Sequence, residues 1–177
     1  MIKNHLKKII VVGASGAGKT TLAKQFAEKF SIPHIQLDNI VWLPGWKLRP
    51  EEEFLSLAKK ELEKPAWVIC GNYTRLMPLT WSQADTVVWL DYPLWLCLWR
   101  AVKRAARLLW TKEPICNGNV ETIGNFFSKN GILRWVFQSH KNRKNLMPEH
   151  MKNQKYKHIT FIHLRSPQET KQWLESL

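Results

Sequence analysis

The residues Gly13-Ala14-Ser15-Gly16-Ala17-Gly18-Lys19-Thr20 match the spacing G-x-x-x-x-G-K-[ST]. From ordinary residue frequencies, a chain of 177 residues carries this pattern by chance about once in a hundred. Each residue type has a chemical reason. Glycines let consecutive backbone N–H groups turn inward around an anion without side-chain clashes. A helix that starts at the lysine offers its unpaired N–H groups and the positive end of its dipole to the same anion. Lys19 is then placed to reach β- and γ-phosphates, and the Thr20 hydroxyl to ligate Mg²⁺. The expected ligand is a nucleoside triphosphate, ATP with Mg²⁺.

Such a loop requires a strand before it and a helix after it. Lys8–Val12 supplies a short apolar run that reads as a buried strand. Lys19–Phe30 follows as a helix, with Leu22, Phe26 and Phe30 spaced for one face. His34–Leu37, Trp67–Cys70, Thr86–Leu90 and Ile159–Leu164 read as further strands. A helix begins after Pro50 with three glutamates in its first turn and runs to about Glu63. The last helix opens at Ser166-Pro167-Gln168-Glu169, a capping box. Strands alternating with helices imply an α/β protein whose parallel sheet is covered on both faces. The rhythm stops across about 111–157, read as an inserted basic lid around a helix Asn125–Lys144 on a single domain spanning 1–177.

Charge is uneven along the chain. Residues 94–158 carry 13 Lys/Arg against 3 Asp/Glu, whereas residues 1–93 carry 12 against 9, within a net charge of +13. Something anionic is expected at the basic block: phosphates of a small substrate, or a nucleic-acid backbone. Three cysteines without metal-ligand spacing suit reduced thiols, and so a cytoplasmic protein. Ile9–Val12 is too short for a secretory h-region. Val87–Trp99, broken by Asp91 and Pro93, is too short to span a bilayer.

Several segments together resemble the bacterial DNA topology modulation (FlaR-like) family, which is related to adenylate kinase. They are Ile9–Ala23, including Thr21 next to the loop; His34–Asp38 with Trp42-Leu43-Pro44-Gly45-Trp46; Gly71-Asn72-Tyr73; Leu90–Pro93 with Trp95–Arg100; and His163–Pro167. The resemblance implies a P-loop NTPase with the nucleoside-monophosphate-kinase-like three-layer fold, its five-stranded parallel sheet ordered 2-3-1-4-5 under a basic helical lid. It implies phosphoryl transfer to a nucleotide or other small acceptor. The family's name adds an alternative, nucleotide-dependent DNA binding through residues 94–158. A third reading is a degenerate, kinase-like ATP-binding regulator.

By the same resemblance Asp38, after the second strand, would sit near Mg²⁺ and the acceptor hydroxyl; as a residue alone it could equally cap the next helix. Gly71, Asn72 and Tyr73 would line the acceptor pocket, or form only a turn; Trp42 and Trp46 flank Pro44-Gly45 in the loop after Asp38, which puts at least one of them, Trp46 the candidate, at the same pocket. Asp91 closes the fourth strand or starts a helix. Cys70 departs from the pattern, since related kinases carry an aspartate there that orders the metal's water shell. On the helix Pro93–Leu109, Arg100, Arg104 and Arg107 share one face, and Leu94, Leu98, Ala101, Ala105 and Leu109 the opposite one. Arg100 and Arg104 are the candidates for stabilising the transferred phosphoryl group, with Arg134 or Arg143 reaching in from the far side of the lid. A solvated basic face is the alternative. Trp95, Trp99 and Trp110 on this helix would also suit a membrane surface, but an apolar stripe is needed for the core, so no membrane partner is expected. Trp67 and Trp89 are expected in the core.

Overall fold

The computed structural model describes residues 6–71, 73–122, 124 and 131–177. Its centre is a five-stranded parallel sheet of β1 (Lys8–Gly13), β2 (His34–Gln36), β5 (Trp67–Cys70), β6 (Thr86–Leu90) and β7 (Thr160–Leu164), in the spatial order β2-β5-β1-β6-β7. Counted by parallel strands alone this is 2-3-1-4-5. A two-stranded antiparallel hairpin, β3 (Trp42–Leu43) and β4 (Lys47–Leu48), stands apart from it.

Alternation along each strand explains the layers. Ile9, Val11, Val68, Cys70, Val88 and Leu90 face one apolar cluster, while Ile10, Val12, Trp67, Ile69, Val87 and Trp89 face the other. Both sides of the pleat are therefore dry, as a parallel sheet requires. The first cluster is covered by α1 (Lys19–Phe30) with Leu22, Ala23 and Phe26, by α5 (Leu94–Thr111) and by the terminal helix α7 (Pro167–Ser176). The second is covered by α3 (Glu51–Leu62), through Phe54, Ala58 and Leu62, and by α4 (Met77–Trp81). A five-residue helix, α2 (Leu37–Val41), follows β2 directly. Trp67 and Trp89 lie in the core, as expected from their strands.

Three expectations need correction. The helix expected at Asn125–Lys144 is found as α6, Ile132–Lys152, which continues through Pro148; residues 125–130 lie outside the described ones. This helix belongs to the body, because Val136 and Met147 are fully buried in the first and second clusters respectively. On α5 the core stripe is Cys97, Ala101, Ala105 and Leu108, with Leu94 and Leu98 only partly buried. Asp91 does not start a helix: Pro93 is the N-cap, and the Asp91 carboxylate is 3.0 Å from His163 Nε2 on the neighbouring strand. The final capping box is present, with Ser166 Oγ accepting from Glu169 N; the Glu169 carboxylate reaches back to Arg165 N.

Candidate functional site

The loop between β1 and α1 turns at Gly16 (φ 81°) and Gly18 (φ 96°), values that L side chains adopt only with strain. Gly18 is the N-cap of α1, so the free amides of the first helical turn open at Lys19, Thr20 and Thr21. A Cβ at Gly16 would lie 2.2 Å from the Cys97 carbonyl oxygen, so the first turns of α5 form a wall against the loop. Arg100 Nη1 donates to the Ala17 carbonyl at 3.4 Å, with its guanidinium 5.6 Å from the Tyr92 ring centre. From the other side, Ser139 Oγ on α6 accepts the Ser15 backbone N–H at 3.1 Å, and His140 Nε2 donates to the Tyr92 carbonyl. The loop residues Gly13 to Thr20 are thus held between two helices, with Lys19 Nζ folded back onto the Ala14 carbonyl at 2.8 Å.

Asp38 lies in the first turn of α2, two residues beyond its N-cap Gln36, so it is not itself the cap. Tyr73 OH donates to Asp38 Oδ1 at 2.6 Å. Burial and the adjacent carboxylate keep that phenol protonated well above its ordinary range. Gly71 (φ 137°) closes the gap between β5 and α2, since a Cβ there would approach Leu37 Cβ to 2.9 Å. Asn72 lies outside the described residues.

Electrostatics tie these groups together. Burial brings the Lys19 ammonium down to about 8; Asp38 pulls it up, while Arg143 and Arg104 push it further down. One carboxylate, one lysine and two arginines therefore share a field at the carboxyl ends of the strands, where open α/β sheets bind ligands. Arg143, 8% exposed, lines a small cleft with Gly71, Tyr73 and Leu37. Arg134 sits on the exposed side of the first turn of α6. Trp46 is engaged elsewhere: its N–H donates to Asn119 Oδ1 and its indole N–H to the Val120 carbonyl, clasping the hairpin to the stretch after α5.

Cys70 ends β5 beside the loop. Its thiol donates to Thr20 Oγ1 at 3.8 Å and lies 3.2 Å from His34 Nε2. Burial pushes the thiol up to about 11 and pushes His34 down, so a neutral pair occupies this position at neutral pH. Among the described residues no cluster of three or more His, Cys, Asp or Glu could hold a metal by itself. Thr20 and Asp38 are hard oxygen donors of the kind Mg²⁺ takes when it arrives with substrate phosphates. They fit such an ion, and the neutral thiol adds nothing to its hold.

Ser139 and Cys116 escaped sequence reasoning. Cys116 faces Asp38 and Arg104 closely enough for both to act on its thiol, which burial raises to about 11. The turn-forming Asn117-Gly118-Asn119 beside it was the only local signal.

Sheet order and loop together define the class: a P-loop NTPase with the nucleoside-monophosphate-kinase-like fold. Comparison with known proteins agrees at that level. No protein-family model matches the chain. It is 64% identical over 33 residues to an adenylate kinase of Agathobacter rectalis, covering 19% of this chain and 15% of that protein. It is 33% identical over 98 residues to an adenylate kinase of Clostridium botulinum, covering 45% of this chain and 44% of that one. The matches thus span less than half the length of these relatives. Among solved structures, shikimate kinase from Acinetobacter baumannii in complex with shikimate aligns with TM-score 0.59 at 19% identity, over 97% of this chain and 90% of that one. Shikimate kinase from Bacteroides thetaiotaomicron aligns with TM-score 0.50 at 20% identity, over 95% and 94%. The solved structures share this fold, and the sequence matches are partial likenesses to adenylate kinases.

Proposed function

We propose that the chain is an ATP-dependent phosphotransferase acting on a small acceptor that carries a hydroxyl or phosphate oxygen and a further anionic group. One observation carries the reading. Asp38, positioned by Tyr73, acts electrostatically on the loop lysine, so a proton acceptor stands within the field of the triphosphate cradle. Lys19 exchanges the Ala14 carbonyl for β- and γ-oxygens when the triphosphate enters. The acceptor oxygen attacks the γ-phosphorus, the bond to the β-bridging oxygen breaks, and ADP leaves with that electron pair. Asp38 takes the acceptor's proton where the acceptor is a hydroxyl. Arg100 and Arg104 neutralise charge spreading over the transferred group. Arg143, buried beside Gly71 and Tyr73, receives the acceptor's anionic group. Mg²⁺ bound with the nucleotide would be held by Thr20, with Asp38 alongside, and would neutralise the phosphate oxygens.

The reading as a modulator of DNA topology rests on the basic charge of residues 94–158 and on the name of the family the chain resembles. The convergence of Arg104 and Arg143 on Lys19 favours the small-acceptor reading. The test is an ADP-release assay across nucleotides and small hydroxy acids. We expect acceptor-dependent turnover that Asp38→Asn lowers by about a hundredfold or more while ATP still binds. ATP binding without turnover for any acceptor would leave a nucleotide-binding regulator instead.

A further inference from the structure

Helix α5 presents three faces, and one has no role in the site. Its core side is Cys97, Ala101, Ala105 and Leu108, and Arg100 and Arg104 turn toward the phosphate loop. On the outer side Trp95, Trp99, Val102 and Trp110 are 69%, 56%, 42% and 90% exposed. At 3.6 residues per turn these four fall within about 80° of one another, in a stripe about 22 Å long. From sequence, Leu94, Leu98, Ala101, Ala105 and Leu109 were assigned to the core, and a membrane surface for Trp95, Trp99 and Trp110 was set aside. The structure separates the two sets and leaves the tryptophans mostly in solvent.

What flanks the stripe points to its occupant. Lys103 Nζ lies 5.1 Å from the Trp99 ring centre, and Arg107 is exposed along the same edge, paired to Glu113. Within a chain of net charge +13, this edge repels a second copy of itself and attracts an anionic surface. Indole rings favour the headgroup level of a bilayer, where an apolar body and a polar N–H are both satisfied. A convex helix with Val102 between the rings offers no groove for tracking a nucleic-acid strand. We propose that the outer face of α5 docks on an anionic lipid surface, lying in the plane of the interface.

The experiment uses the full chain with Mg-ATP and vesicles of phosphatidylcholine, with or without an equal share of phosphatidylglycerol. Co-sedimentation and tryptophan emission report binding. We expect binding to the anionic vesicles with a blue-shifted emission, weakened by salt, and lowered by about tenfold or more in Trp95→Ser/Trp99→Ser/Trp110→Ser. ATP-induced thermal stabilisation should be retained, which shows that the variant folds. The single Trp110→Ser, at the most exposed position, should show a smaller loss in the same direction. Four results would each overturn the proposal: equal or no binding to anionic and zwitterionic vesicles; tryptophans at these positions already shielded from acrylamide in the free protein; a dimer that the triple variant dissociates; or a single-stranded oligonucleotide that produces the blue shift and displaces the vesicles.

Discussion

Cys70 and His34 form a neutral pair beside Thr20, where the family resemblance leads one to expect an aspartate. A thiol raised to about 11 by burial is protonated through the physiological range and does not repel or attract the phosphates. Cys70→Asp should therefore raise Mg²⁺ affinity and turnover by about tenfold, measured as the Mg²⁺ dependence of ADP release. An unchanged Mg²⁺ dependence would place the metal's outer sphere elsewhere. Tyr73→Phe removes the hydroxyl that positions Asp38. We expect kcat to fall by about tenfold while ATP binding stays unchanged, because the loop itself is untouched. Lys19 gives a pH signature. Its folded value, about 8, lies below its ordinary 10.5. Between those values the unfolded chain holds a proton that the folded chain has shed, so stability of the nucleotide-free protein rises with pH across that window. Below 8 the penalty for enclosing the charged lysine is fully present. Urea melts of Lys19→Met should lack this rise.

At the scale of elements, the site depends on two helices pressed against one loop. Gly16→Ala combines a left-handed φ with a 2.2 Å collision against the backbone of α5, which cannot rotate aside like a side chain. We expect a loss of about 2–4 kcal/mol in urea unfolding. Gly45→Ala in the β3–β4 hairpin shares the positive φ (77°) but meets nothing within 4 Å. It should cost only about 1 kcal/mol. The difference measures the helix–loop contact. The regular elements were legible because their signals are local: β1 is a run of branched apolar residues ending in glycine, and α1 has apolar residues at helical spacing. The hairpin was not, since two residues per strand carry no periodicity. For α6 a helix was expected over Asn125–Lys144, but its extension to Lys152 and its packing were not legible, because its buried positions Val136, Ser139, Arg143 and Met147 include a hydroxyl and a guanidinium where an apolar stripe would be sought.

For the whole molecule, the charge of +13 complicates any binding assay. No helix among the described residues is long and apolar enough to cross a membrane. Duplex DNA affinity from charge alone should collapse by about a thousandfold between roughly 50 and 200 mM salt. The rise in melting temperature with Mg-ATP should persist over that range, because it comes from a specific site. Duplex binding that appears only with the nucleotide bound would instead favour the DNA-directed reading.

The phosphate loop was readable by itself because its chemistry is made of consecutive backbone amides, whose geometry follows from glycine spacing within one strand–turn–helix. The sheet order was readable only with the help of a family resemblance. Other features depend on pairs 35 to 124 residues apart in sequence, such as Tyr73 on Asp38 and Ser139 on Ser15. No local pattern encodes such pairs; strand order and helix packing bring them together. The same holds for the tryptophans of α5. A helical spacing of apolar residues states that a face exists, and only the packed molecule decides whether that face meets the core or the solvent.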